Sequence, residues 1–156
     1  MYTKIIAEAA SSANADVELG KAMIRAAKDV GVDLYKGQGW LAKYVSDTDA
    51  DKPRYTKYET TDEHHKIYKE YCDEIGIEYF VTITRTERVP FFKELGLKKA
   101  KVASVNLSDS KLLAALIEAF PEVIASTACQ SDDIVKQAAQ ILRPTDTLMH
   151  CRGVYP

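Results

Sequence analysis

Residues 101–126, KVASVNLSDSKLLAALIEAFPEVIAS, decide the fold class of this chain. The apolar runs at its two ends, Lys101–Ser104 and Val123–Ser126, are typical of short buried strands. Between them lies a helix that Ser108 is expected to cap, with apolar side chains every three or four residues until Pro121 stops it. A strand, a helix and a second strand in this order predict two parallel strands joined by a crossover helix.

The same alternation of strand and helix patterns runs along the whole chain. Further strands are predicted at residues 5–8, 32–36, 77–83 and 147–151, and further helices begin after the capping residues Asp16, Thr61, Thr86 and Ser131. Parallel strands that alternate with helices form either an open doubly wound sheet or a (β/α)8 barrel. No Gly-x-Gly-x-x-Gly motif follows any strand, which disfavours a dinucleotide-binding sheet.

A barrel is therefore the expected architecture. A closed (β/α)8 barrel usually takes about 250 residues, whereas this chain has 156. We expect an α/β fold of about six parallel βα units, which is an incomplete (β/α)8 TIM-type barrel. Residues 1–156 then form a single domain that lacks the last two strands.

Composition excludes several classes of protein. The chain is 46% hydrophobic and 28% charged, as expected of one globular domain. Its 21 Lys and Arg against 23 Asp and Glu give a net charge of −2, so no nucleic-acid partner is expected. No run approaches the roughly 20 apolar residues that a membrane span needs, and the first residues do not resemble a signal peptide. We expect a cytoplasmic protein with no membrane partner.

Polar residues cluster where the predicted strands end, and working sites of parallel α/β folds lie at the carboxyl ends of their strands. The lysines Lys36 and Lys101, together with several hydroxyls, suit a small phosphorylated acid, because anions need charge-assisted donors from several directions. Ser104 follows Lys101 by three residues, so the two face opposite sides unless Ser104 lies past the strand or at a bulge. The polar strand-end residues are Glu8, Lys36, Gln38, Thr82, Thr84, Ser104, Asn106, Ser126, Thr127 and Tyr155.

Two further groups of residues lie between the strands. His64 and His65 fall in the first turn of a helix, and its apolar stripe predicts that both face solvent. The polar stretch after the second strand contains four aromatic residues and is either a lid over the pocket or a surface loop anchored by them. These residues are Trp40, Tyr44, Tyr55 and Tyr58.

Six short motifs occur in order along the chain. They are Ile5-Ile6-Ala7-Glu8, Asn14-Ala15-Asp16, Asp33-Leu34-Tyr35-Lys36-Gly37-Gln38, Lys101-Val102-Ala103-Ser104, Val123-Ile124-Ala125-Ser126-Thr127 and His150-Cys151-Arg152-Gly153-Val154-Tyr155-Pro156. Together they resemble the motifs of the N-acetylneuraminate (sialic acid) synthase family, whose barrels condense phosphoenolpyruvate with a sugar to make nonulosonic acids. The chain resembles the N-terminal part of that barrel.

The resemblance implies a reaction and roles for eight residues. C3 of phosphoenolpyruvate joins the aldehyde of N-acetylmannosamine or a related sugar, water attacks C2, and phosphate leaves. The residues that hold the carboxylate and phosphate of phosphoenolpyruvate would be Lys36, Thr82, Lys101, Ser104 and Ser126. The catalytic residues on the sugar side would be Glu8, Gln38 and Tyr155.

The resemblance also implies a divalent metal, Mn or Mg, that polarises the aldehyde. The metal-binding histidines of the family belong to the last two strands, which this chain lacks together with the C-terminal domain. No residue is therefore assigned as a metal ligand, and an inactive truncated chain is one of the outcomes that the resemblance leaves open. The open strand edges predict either self-association or completion by a missing C-terminal segment.

The chain departs from the family motifs at several positions, which leaves two other functions open. The Asn-His of the first loop, for example, reads Ser12-Ala13 here. One alternative is a non-catalytic ligand-binding or assembly protein on a degenerate barrel. The other is a class I aldolase in which Lys36 or Lys101 forms a Schiff base with a carbonyl substrate.

Overall fold

A computed structural model describes residues 3–154 of the chain. The chain divides after Val81 into two compact units. In the described part of the chain, every helix is too short or too polar to cross a membrane.

The first unit builds three strands and three helices. They are β1 (Ile6–Glu8), α1 (Val17–Asp29), β2 (Leu34–Gln38), α2 (Lys52–Tyr58), α3 (Asp62–Ile75) and β3 (Glu78–Thr82), whose last residue opens the second unit. The sheet order is β1-β2-β3, and β1 runs parallel to β2 with Glu8 opposite Lys36. As predicted, Asp16 caps α1 by accepting a hydrogen bond from Leu19 N, and Thr61 caps α3.

The second unit repeats the pattern. Its elements are α4 (Val89–Glu94), β4 (Lys99–Val102), α5 (Ser110–Ala119), β5 (Glu122–Ser126), α6 (Asp132–Ile141) and β6 (Thr147–Met149). The sheet order is β4-β5-β6 and both pairs are parallel, with Val102 opposite Ala125 and Ser126 opposite Met149. The parallel strands and crossover helices predicted from residues 101–126 are confirmed.

Each unit has its own apolar core. In the first unit, Ile24 of α1, Cys72 of α3 and Phe80 of β3 have no exposed surface. In the second unit, the inner stripe of α5 is buried with the middle of β4 and β5, as its spacing predicts. Burying a leucine or phenylalanine side chain stabilises a fold by about 1.5–3 kcal/mol, so these cores hold the strands and their carboxyl ends in place.

Several element boundaries differ from the predictions. Asp109, and not Ser108, caps α5, because its carboxylate accepts hydrogen bonds from the two backbone N–H groups of Lys111 and Leu112. Thr86 opens a 3-10 turn, and the α-helix that follows begins only at Val89. The strands also extend differently: β2 ends at Gln38, β4 ends at Val102, and β6 ends at Met149.

Candidate functional site

A buried lysine marks the carboxyl end of β2. The side chain of Lys36 is 7% exposed and forms an ion pair with Glu8, which lies opposite it at the end of β1. Glu8 is held from its other side, because its Oε1 accepts a hydrogen bond of 2.9 Å from Ala10 N in the following loop. A buried ammonium group is stable only when it is paired. The pair therefore holds the ammonium group of Lys36 in place at the strand ends.

Gln38 lies two residues beyond Lys36, on the same face of β2. Its Oε1 accepts a hydrogen bond of 2.8 Å from the indole Nε1 of Trp40. Trp40 meets Tyr55 of α2 edge to face, with 5.5 Å between the ring centres. These contacts fix the amide of Gln38 beside an aromatic wall.

This wall encloses a cavity of about 120 Å³. The polar stretch after β2 was predicted to be either a lid or a surface loop. It folds partly as α2 and places aromatic side chains over the end of β2. Tyr44 is not part of the lining; it contacts Lys43 instead. The residues that line the cavity are Ser11, Gln38, Trp40, Arg54, Tyr55 and Tyr58.

A buried histidine of α3 packs against Tyr79 of β3, contrary to the prediction that His64 and His65 both face solvent. His65 has no exposed surface, and its Nδ1 lies 2.8 Å from the hydroxyl of Tyr79. Burial raises the pKa of that tyrosine well above its usual value. The spacing of His65, Tyr68 and Cys72, at i, i+3 and i+7, was the signal in the sequence that places the histidine on the inner stripe.

The buried Tyr79 also requires a glycine at position 37. A Cβ atom at this position would lie 2.5 Å from the hydroxyl oxygen of Tyr79, which is too close for any side chain. The glycine between Lys36 and Gln38 thus lets Tyr79 lie against the strand that carries both residues.

In the second unit, two serines meet at the carboxyl ends of β4 and β5. The Oγ of Ser104 donates a hydrogen bond of 2.8 Å to the Oγ of Ser126, which is 5% exposed. Ser126 in turn donates to the Sγ of Cys151 at 3.2 Å, and Ala128 N donates to Ser104 at 3.1 Å. Ser104 lies past the end of β4 in a 3-10 turn, so the alternation of strand side chains does not govern its direction.

Three more polar side chains accompany the serines in the second unit. Thr82, the last residue of β3, is buried, and Lys101 of β4 is half-buried. The Nδ2 of Asn106 donates to the carbonyl oxygen of Thr84 at 3.5 Å, while its buried Oδ1 has no hydrogen-bond donor within residues 3–154. Tyr155 lies outside the described residues.

The structure thus brings together the predicted site residues in two sets. Glu8 and Lys36 pair in the first unit and Gln38 follows on the same face of β2; in the second unit, Ser104 and Ser126 share a hydrogen bond. Arg54, which lines the cavity beside Gln38, was not singled out in the sequence, because nothing in the pattern around it indicates that α2 forms.

The residues described here do not fit the divalent metal that the family resemblance implies. Within residues 3–154, no group of three or more His, Cys, Asp or Glu side chains is placed to hold a metal ion.

Comparison with known proteins shows which family these features define. Residues 23–156 match the family model described as the NeuB family. The chain is 29% identical to the N,N'-diacetyllegionaminic acid synthase of Campylobacter jejuni over 99% of this chain and 52% of that protein. It is 30% identical to the N-acetylneuraminate-9-phosphate synthase of Mus musculus over 97% of this chain and 47% of that protein.

A solved structure gives the fold. The N-acetylneuraminic acid (sialic acid) synthetase of Leptospira borgpetersenii, in complex with citrate, superposes with a TM-score of 0.90 at 25% identity, over 97% of this chain and 55% of that one. The fold class is that of an α/β, incomplete (β/α)8 TIM-type barrel, as predicted. The chain spans about half the length of the curated relatives it matches. This chain belongs to the NeuB family.

Proposed function

We propose that this chain provides the phosphoenolpyruvate-binding part of a synthase that condenses phosphoenolpyruvate with an N-acetylated sugar aldehyde. The observation that carries the proposal is the buried Lys36, held by Glu8 at the carboxyl end of β2 in a chain of the NeuB family. Relatives with the names of legionaminic acid and N-acetylneuraminate-9-phosphate synthases support the same class of reaction.

Lys36 binds the anionic groups of phosphoenolpyruvate in this proposal. Its ammonium group is already desolvated, so exchanging Glu8 for a carboxylate or phosphate of the substrate costs little further burial. Hydrogen bonds from an ammonium group to such anions are short and strong. Glu8, whose side chain is 45% exposed, then turns toward the sugar and accepts hydrogen bonds from its hydroxyls.

Hydroxyl groups and a second lysine complete the binding of phosphoenolpyruvate. Ser104 and Ser126 are neutral, fixed by their mutual hydrogen bond, and able to reorient their hydroxyl protons toward an anion. Thr82 and Lys101 contribute a buried hydroxyl and a second ammonium group. Gln38 and Tyr155 serve the sugar side. The positive charges neutralise phosphate as it leaves C2.

The proposed reaction balances as follows. A bond forms between C3 of phosphoenolpyruvate and the aldehyde carbon of the sugar, whose oxygen takes up a proton. The electrons of the C2–C3 double bond supply the new bond. Water adds its oxygen to C2 and gives one proton to the former aldehyde oxygen. The bond from C2 to the phosphate oxygen then breaks as the new hydroxyl on C2 gives up its proton, which leaves a ketone at C2 and releases inorganic phosphate. Because phosphoenolpyruvate is a metabolite of the cytoplasm, we place the reaction there.

We also propose that further polypeptide completes the site. Parallel strands at a sheet edge need a neighbour or a cover, and either a second copy of the chain or another segment would supply it. Light scattering should show association of the purified chain; a stable, well-folded monomer that carries out the condensation would contradict this part of the proposal.

Incubation with phosphoenolpyruvate, N-acetylmannosamine and Mn²⁺ tests the function. We expect release of inorganic phosphate together with a nonulosonic acid seen by mass spectrometry, and loss of both products in Lys36→Met. Lys66→Met, which removes an exposed lysine from α3, is the matched control. Binding of phosphoenolpyruvate without condensation would identify a ligand-binding protein instead. A borohydride-trapped adduct with a keto acid would identify an aldolase.

A further inference from the structure

Two cysteines follow neighbouring strands of the second unit. Cys151 comes two residues after the end of β6, and Cys129 comes three residues after the end of β5. The two strands are paired in parallel, with Ser126 opposite Met149, so both thiols lie beyond the same edge of the sheet. Both are free cysteines; Cys129 is exposed and Cys151 is half-buried.

The thiol of Cys129 is turned toward the segment that carries Cys151. Its backbone is left-handed, with a φ of 57°, a conformation that residues other than glycine rarely adopt. From this turn its Sγ lies against Gly153, where the Cβ atom of any side chain would clash with the sulfur. A glycine two residues after Cys151 therefore makes room for the thiol of Cys129.

The distance between the two cysteines is short. Two residues of chain span at most about 7 Å, and the sulfur of Cys129 already touches the residue that lies two positions beyond Cys151. A disulfide joins residues whose Cα atoms are usually about 4.4–6.8 Å apart. Residues 150–154 belong to no helix or strand, so a small shift of this segment brings the two sulfurs together.

Cys151 also belongs to the hydrogen-bonded chain of the serine pair, Ser104 and Ser126. Ser104 donates to Ser126 at 2.8 Å, and Ser126 donates to the Sγ of Cys151 at 3.2 Å. The sulfur is thus the acceptor that holds the hydroxyl of Ser126 in its orientation. When this sulfur moves into a bond with Cys129, Ser126 loses that acceptor.

We propose that Cys129 and Cys151 form a reversible disulfide when the chain meets a peroxide, and that this disulfide weakens the binding of phosphoenolpyruvate at the serine pair. The second half rests on the proposed function, because that function places phosphoenolpyruvate on Ser104 and Ser126. The expected loss of affinity is about fivefold, equivalent to one neutral hydrogen bond.

The oxidation takes two steps. The exposed thiol of Cys129 attacks hydrogen peroxide, takes one of its oxygen atoms to become a sulfenic acid, and releases water. The thiol of Cys151 then attacks the sulfur of the sulfenic acid, the S–S bond forms, and the hydroxyl group leaves with the thiol proton as a second water. Two thiols thus give up two electrons and two hydrogen atoms, and one peroxide becomes two molecules of water.

The third cysteine of the chain provides an internal control. Cys72 of α3 has no exposed surface, and burial raises the pKa of its thiol to about 12. The thiolate is the reactive form of cysteine, so Cys72 should stay reduced under conditions that oxidise the other two.

Mass spectrometry after peroxide treatment tests the disulfide. Free thiols are alkylated, the monomer is isolated on a non-reducing gel, and trypsin separates the two cysteines by cleaving after Lys136. We expect a cross-linked peptide pair that contains Cys129 and Cys151, alkylated Cys72, and loss of the cross-link after treatment with dithiothreitol. Cys129→Ser should give no cross-link.

Calorimetric titration of phosphoenolpyruvate tests the second half. The oxidised wild type should bind about fivefold more weakly than the reduced wild type, and dithiothreitol should restore the affinity. Cys129→Ser receives the same peroxide treatment and should keep the affinity of the reduced protein, which separates the disulfide from other oxidative damage.

Each result has a distinct meaning. Alkylation of both Cys129 and Cys151 after peroxide, a cross-link found only between two chains, or oxidation of Cys129 that stops before a disulfide would overturn the inference. An intramolecular disulfide with unchanged affinity would overturn its second half. A reduced chain that binds no phosphoenolpyruvate would contradict the proposed function together with that second half, while the cross-linked peptide would still establish the disulfide.

Discussion

The two ends of β5 are built from different chemistry. At its amino end, Val123 N donates a hydrogen bond of 2.8 Å to the carboxylate of Asp146, which is fully buried and bound by Arg143. At its carboxyl end, Ser126 is held by neutral partners, the hydroxyl of Ser104 and the thiol of Cys151. Charges that are fully matched within the protein stabilise the fold, whereas neutral groups with spare hydrogen-bonding capacity remain available for a ligand.

The amino end is a closed network around Arg143. Its guanidinium donates to Asp146 and also to the last carbonyl groups around the end of α5, those of Ile117, Phe120 and Pro121. One side chain thus joins α5, β5 and the loop before β6. We expect this end to govern stability and the opposite end to govern binding.

The largest expected effect is on stability. Asp146→Ala should lower the free energy of unfolding by about 2–4 kcal/mol, since it leaves the N–H of Val123 and the charge of Arg143 without their acceptor. Urea unfolding followed by circular dichroism measures this change. Asp133→Ala, which removes an exposed carboxylate from the first turn of α6, should cost less than about 1 kcal/mol. Similar losses in the two variants would contradict a stabilising role of the network around Arg143.

The next largest expected effect is on the affinity for phosphoenolpyruvate. Ser126→Ala should weaken the affinity for phosphoenolpyruvate about tenfold while lowering stability by only about 1 kcal/mol, the usual worth of a neutral hydrogen bond. Calorimetric titration and urea unfolding of the same samples separate the two quantities. The exposed Ser108 provides the control, as Ser108→Ala should change neither. A large loss of stability with unchanged affinity would show that both ends of β5 serve the fold.

The smallest expected effect is on how the free energy of unfolding depends on pH. Burial alone would raise the pKa of Asp146, but hydrogen bonds from Arg143 and Val123 and the charge of Arg143 outweigh it and lower the pKa. The carboxylate therefore adds stability above its usual pKa of about 3.9, and this stability is lost as pH falls through the lower value in the folded protein. The unfolding free energy of Asp146→Ala should change less with acidification than that of the wild type; parallel curves would contradict this.

Much of the fold could be predicted because apolar spacing and capping residues are local signals. Asp16, Thr61 and Ser131 cap their helices as their positions indicate. By contrast, α2 (Lys52–Tyr58) has no buried residue and hence no apolar stripe to reveal it.

The candidate site was less predictable, because it depends on contacts between distant residues. The pairing of Glu8 with Lys36 follows from strand register, and the meeting of Ser104 with Ser126 depends on a turn after β4. From the sequence alone, Gly37 is only a residue that weakens a strand. The structure shows that the hydroxyl of Tyr79 occupies the space that a side chain at this position would need. The roles given to these residues toward phosphoenolpyruvate stay predictions, as does the role of Tyr155.

The most direct test of the proposed role of Lys36 is a calorimetric titration of phosphoenolpyruvate into the wild-type chain and into Lys36→Met. We expect saturable binding to the wild type and a loss of affinity of about tenfold or more in the variant, because hydrogen bonds to a charged group are worth about 1.5–3 kcal/mol. An affinity in Lys36→Met within twofold of the wild type, or no binding by the wild type, would contradict it.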